Sequence, residues 1–213
     1  MSPPADTPSV PSDAAAVADR YLRRERIATA VTALSVGLLG GAAVLVFPLG
    51  PALGAIVLLL VAFRLPVFRT AGTATLTTDA EPAAVREAFT GPTPPVLPFQ
   101  WGIADSVRER DGGSEYEISY FFGLRSVTMT VETAERADGS ITLTVRAGGR
   151  DWATYTVSVQ GTENGSTVDV EWTADRRFGL RRLPQTLLSA RYREAALAAQ
   201  GYTTREWDPS LSV

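Results

Sequence analysis

The chain has 213 residues, 20 of them basic and 23 acidic, with no cysteine and no histidine. Structural zinc, disulfides, thiol nucleophiles and imidazole acid/base catalysis are excluded, and because every basic residue is Arg, so are Schiff bases and amine nucleophiles. Residues 1–69 carry six Arg against four acids, net +2, and residues 70–213 carry fourteen Arg against nineteen acids, net −5. The distal part therefore repels a phosphate backbone, and no nucleic acid partner is expected.

Residues 1–26 form a basic juxtamembrane segment. Met1 to Pro11, rich in Pro, Ser and Ala, is expected to be disordered, and Ser12 to cap a short Ala-rich helix through Asp13 to Glu25. From Ile27 to Phe63 there are thirty-seven consecutive uncharged residues. As one helix they would run about 55 Å, against a hydrocarbon core of about 30 Å. Phe47-Pro48-Leu49-Gly50-Pro51 breaks the run, since proline removes amide donors and glycine permits reversal. Two transmembrane helices follow within residues 27–68, near 27–46 and 52–68.

Arg20, Arg23, Arg24 and Arg26 flank the entry, Arg64 and Arg69 flank the exit, and the turn carries no charge. By the positive-inside rule both termini, and the domain that follows, face the cytoplasm. The second span is short before Arg64, so either that side chain snorkels toward the headgroups or the hairpin sits shallow. Gly37 and Gly41, then Gly50 and Gly54, have the small-xxx-small spacing that lets helices approach closely.

Residues 73–207 form the soluble domain. Thr73 to Thr77 reads as a strand, and Asp79 is placed to cap a helix opening with Glu81-Pro82 and running to Phe89. Pro92, Pro94, Pro95 and Pro98 keep the next stretch irregular. From Trp101 onward strands of period two follow, separated by polar turns: 103–110, 115–122, 126–135, 140–147, 152–160 and 167–174. One face is apolar throughout, through Tyr116, Ile118, Tyr120 and Phe122, then Val127, Met129 and Val131, then Ile141, Leu143 and Val145, ending with Val168, Val170 and Trp172. Pro184 opens a helix to Gln200 whose apolar stripe, with Leu187, Leu188, Tyr192, Ala195 and Leu197, suits it to cover that face, and Gly201 ends it. Tyr202 to Trp207 adds a final short strand or trails along the surface.

A strand, a short helix, an antiparallel meander and a long C-terminal helix across the sheet resemble the START-like (SRPBCC, polyketide cyclase-like) superfamily, whose α+β architecture is the helix-grip fold. The likeness is carried by Ala74 to Phe89 and by Leu183 to Gly201. It is one of element order, and it brings no catalytic motif. It implies a cavity for an apolar ligand between helix and sheet, with Trp101, Tyr120, Phe122, Met129, Tyr155, Trp172, Leu187 and Tyr192 as lining candidates. The Pro-rich loop after the first helix departs from the many relatives that carry a second helix there.

Asp175, Arg176, Arg177, Arg181 and Arg182 form the densest charge cluster. The four Arg are candidates to hold a phosphate or carboxylate headgroup, or the membrane surface, against the plainer reading of a solvated turn. Asp105, Glu109, Glu115 and Glu117 fall on the wet strand face and suit solvation better than acid/base work. Gly148-Gly149 lacks the strand-loop-helix context of a phosphate loop, and no metal or cofactor is expected. The expectation is a non-enzymatic module at the cytoplasmic side of the cell membrane, with the bilayer and an apolar or lipid-like small molecule as partners. A protein-interaction or scaffold domain of a membrane complex, docking a membrane protein, and a cyclase- or hydrolase-type enzyme are the alternatives.

Overall fold

The computed structural model describes residues 11–120, 124–179 and 183–212, with side chains for all of these but residues 120, 183–188, 190 and 191. Two helices lead, α1 (Ser12–Val46) and α2 (Leu49–Arg64). Strand β1 (Arg69–Thr78) and helices α3 (Pro82–Thr90) and α4 (Pro98–Trp101) follow. The meander comprises β2 (Ser106–Arg110), β3 (Gly113–Tyr120), β4 (Arg125–Glu135), β5 (Ile141–Ala147), β6 (Arg150–Thr162) and β7 (Gly165–Ala174). Helix α5 (Leu183–Ala198) and strand β8 (Thr203–Ser212) close the chain. The strands form one antiparallel, curved sheet of order β2-β3-β4-β5-β6-β7-β1-β8.

Helix α1 corrects the expectation of a short juxtamembrane helix. It runs unbroken for 35 residues, and its first three turns bury Ala14, Val17, Ala18 and Tyr21 on the domain, beside α4 and α5. No proline or glycine interrupts Ser12 to Ser35, so nothing stops propagation into the apolar stretch. Phe47 then turns extended ahead of Pro48. α1 is long and apolar enough to cross a membrane; α2 is apolar but, at 16 residues, shorter.

The second helix also begins and ends earlier than expected. Pro51 falls in its first turn, where a missing amide costs nothing, and Pro66 disfavours helix at Leu65, so α2 stops at Arg64 instead of Phe68. Phe68 instead bridges to Phe178, each backbone N–H donating to the other's carbonyl at 2.9 and 2.7 Å. The helix pair meets at Gly40, where a Cβ would sit 3.6 Å from Ile56. Gly37, Gly41, Gly50 and Gly54 have open space around them, so the small-xxx-small spacing does not mark the helix contact.

The sheet buries one face, as its period predicts. Leu76, Tyr116, Ile118, Val131, Leu143, Val145, Val157, Val168 and Val170 form a continuous core with Val85 and Phe89 of α3, Leu97, Trp101, Leu197 and Tyr202. Full burial of each such side chain stabilises by about 1.5–3 kcal/mol. Asp79 stays outside α3, which starts at Pro82 after Glu81 with no side-chain cap. Trp101 is the last residue of α4 and not part of a strand. The final segment is a full ten-residue edge strand along β1, longer than expected.

Candidate functional site

A cleft of about 240 Å³ opens between α5 and the sheet. Trp152, Ala153 and Tyr155 of β6, Trp172 and Ala174 of β7, and Thr70 of β1 supply its floor. Phe99 and Gln100 of α4 and Tyr21 of α1 supply one wall, and Arg176, Arg177 and Phe178 the rim. From α5 come Ser189 and Arg193, one turn apart on the face that also carries Leu197. A smaller, largely apolar recess of about 30 Å³ continues inward under Val96, Val170, Leu197 and Trp207. Tyr155, Trp172 and Arg193 line both, so the two spaces adjoin.

The aromatic groups are ordered by one another. Trp172 and Trp207 stack with ring centroids 4.6 Å apart and planes 26° apart. Trp172 pairs across β7 with Gly72 of β1, and only glycine fits there, because a Cβ would run into the indole and into the Asp208 carbonyl. The Arg193 guanidinium lies 4.5 Å over the Trp207 ring. Tyr21 packs against Phe99 at 4.6 Å and edge-on to Tyr192 at 6.0 Å, joining α1 to α4 and α5 at the wall.

The electrostatics are one-sided. Three Arg side chains line the cleft and no Asp or Glu does, and among the described residues no carboxylate lies within ion-pair distance of Arg193. Burial lowers the basicity of Arg193, an effect opposed by Tyr155 and Tyr21 beside it, and burial pushes the Tyr155 phenol up. Gln100 Oε1 is buried without a hydrogen-bond donor among the described residues. Among those residues no group of three or more Asp or Glu converges where a metal ion would sit. The chemistry on offer is aromatic contact and guanidinium donation, which suits binding.

Of the sequence-derived candidates, Tyr155 and Trp172 line the cleft and Arg176 and Arg177 stand exposed at its rim. Tyr192 touches the wall through Tyr21. Trp101 and Met129 lie in the closed core instead, and the Trp101 indole N–H donates to the Pro94 carbonyl at 2.9 Å. Phe122, Arg181 and Arg182 lie outside the described residues, as do the side chains of Tyr120 and Leu187. Sequence reasoning missed Arg193, Trp207, Trp152, Phe99 and Tyr21. Arg193 was legible in principle, four residues before Leu197 on one helix face. Trp152 shares β6 with Tyr155 but falls at the β5–β6 register shift, which strict alternation does not foresee, while Trp207, Phe99 and Tyr21 come from elements whose approach is long-range.

No protein-family model and no curated protein sequence matches the chain. Solved structures similar to it include protein CV1439 from Chromobacterium violaceum, with 18% identity over 62% of this chain and 97% of that one, at a TM-score of 0.44. A START superfamily protein from Mycobacterium smegmatis shares 10% identity over 62% of this chain and 97% of its own, at a TM-score of 0.43. Ara h 8.0201 shares 14% identity over 61% and 96%, at a TM-score of 0.41.

Proposed function

We propose that the chain is a membrane-anchored, non-enzymatic module that takes an apolar or lipid-like molecule into the cleft between α5 and the sheet, at the cytoplasmic face. The observation that carries this reading is that both connections to the apolar helices frame the cleft. Tyr21 of the wall stands six residues, about 9 Å of helix, before Ile27. Phe178 of the rim is bonded to Phe68, just after α2. A molecule leaving a bilayer between these helices would meet the cleft first.

The anchor is a pair of spans in this reading. Among the described residues every exposed large hydrophobic side chain except Leu124 and Leu211 lies between Ile27 and Leu65, a concentration that water does not tolerate on a soluble surface. α2 is about 24 Å long, and Arg64 snorkelling with local bilayer thinning covers the remaining few ångströms. In this reading Arg20, Arg23, Arg24 and Arg26, in the part of α1 ahead of Ile27, and Arg64 and Arg69, at and after the end of α2, favour both termini on the cytoplasmic side. Ligand pockets commonly span about 300–1,000 Å³, so the cleft as it stands takes a headgroup or one short chain and leaves a longer tail toward the membrane.

The test is native mass spectrometry of the full chain released from detergent, with organic extraction of whatever travels with it. A stoichiometric lipid or isoprenoid is the expected result. A folded protein that stays empty after exposure to a total lipid extract would sink the ligand-binding reading and turn the search to a membrane protein partner.

A further inference from the structure

Resting on the ligand-binding reading above, we propose that Arg193 recognises an anionic group, so that the molecule taken up is an amphiphile with a carboxylate or phosphate head and an apolar body. The body packs against Tyr155, Trp172 and Phe99, and the head meets the guanidinium where it lies over Trp207.

Four observations converge on this assignment. Arg193 is half-buried at the junction of the cleft and the apolar recess, yet no carboxylate among the described residues answers its charge. Arg remains protonated in proteins, so the site holds a cation in a poorly hydrated place, over the Trp207 ring and beside Tyr155 and Tyr21. The two other charged groups lining the cleft, Arg176 and Arg177, have the same sign. The guanidinium carbon lies over Trp207, itself stacked on Trp172, which holds the cation at the junction, and a guanidinium there can offer a carboxylate or phosphate two parallel N–H donors.

A purely structural Arg193, held by its cation–π contact alone, would not discriminate between ligands by charge. That difference makes the test.

Full-length protein in phosphatidylcholine nanodiscs is titrated with oleate, with oleoyl lysophosphatidate and with their uncharged counterpart oleyl alcohol, followed by quenching of Trp152, Trp172 and Trp207. Inorganic phosphate and butyrate, titrated alone, separate a free anion from a lipid head as its source. The expected result is that one or both anionic lipids bind at least tenfold more tightly than oleyl alcohol, and that Arg193→Gln removes this preference, read as the ratio of the anionic-lipid to the oleyl alcohol affinity within the same variant. Arg193→Lys should keep part of it. Anionic and neutral lipids binding equally to the wild-type protein would overturn the assignment even if Arg193→Gln does not fold. So would an Arg193→Gln variant, folded by circular dichroism, that keeps the preference. Binding of none of the lipids would overturn the ligand-binding reading itself, and this assignment with it. Binding of butyrate or phosphate as tight as that of the lipids would keep the anion site but remove the amphiphile.

Discussion

Trp172 and Trp207 stack at 4.6 Å although they stand on strands that never pair, β7 and β8, because β1 between them carries glycine at position 72. The stack is the platform on which Arg193 rests, so its removal should be felt in stability and in binding together. Trp207→Ala removes a partly exposed indole, the stacking contact and the cation–π contact. Full Trp-to-Ala truncations in cores cost about 3–5 kcal/mol, and partial exposure brings the expected loss here to about 2–3 kcal/mol. Urea unfolding of the purified chain checks it, and a loss below about 0.5 kcal/mol would mean the stack contributes little.

Gly72→Ala tests the same platform from beneath. The new methyl collides with Trp172 and with the Asp208 carbonyl, so either the indole swings out or β8 lifts from β1. Overpacking of this kind costs about 1–3 kcal/mol. A double variant with Trp172→Ala should recover part of the cost if the indole is the obstacle, and purely additive losses would assign the strain to the backbone contact instead.

The docking of α1 rests on close contact of small residues. Ala18 is fully buried, and a Cβ placed on Gly102 would lie 2.9 Å from the Ala18 Cβ, so the helix backbone approaches the end of α4 with no room to spare. Ala18→Glu should therefore release the first three turns of α1. Arg20, Arg23 and Arg24 are exposed but sit in ordered helix, which a protease must locally unfold before cutting. Trypsin should cut the variant at these sites at least tenfold faster than the wild-type protein in the same nanodiscs. Equal rates would mean that the docked arrangement does not protect the helix.

The strands and the covering helix were legible because their hydrophobic periods are local: Tyr116, Ile118, Val131 and Leu143 declare a buried sheet face without any tertiary knowledge. The length of α1 was not, because the change from amphipathic to uniformly apolar near Ile27 marks a change of surroundings and not a change of backbone. The stripe on α5 was read one position off at Ala195, which is exposed, whereas Ala196 is buried. The cleft was half legible. Tyr155 and Trp172 follow from strand alternation, but Tyr21, Phe99 and Trp207 reach it from segments remote in sequence, and a charged residue such as Arg193 is assigned to water by any rule that sorts side chains by polarity.

The last prediction concerns Tyr116, whose hydroxyl donates to the Pro92 carbonyl at 3.0 Å and accepts from Ser114 Oγ at 2.9 Å, tying β3 to the Pro-rich loop beside the cleft. Burial raises its pKa to about 12, with the Ser114 hydrogen bond a smaller opposing effect. The folded state thus favours the protonated phenol, and the unfolded state titrates near 10. The resulting contribution, about 2–3 kcal/mol, is fully present below pH 10 and is lost as the pH rises from 10 through 12. Tyr116→Phe should cost about 1–2 kcal/mol at neutral pH through the lost hydrogen bonds. It should also flatten the alkaline limb, so that the two stability curves meet at about pH 11 and the wild type falls to or below the variant as the pH approaches 12. Denaturant midpoints measured at pH 8, 10 and 11.5 decide it, and parallel curves would mean that another group, such as Tyr202, governs alkaline unfolding.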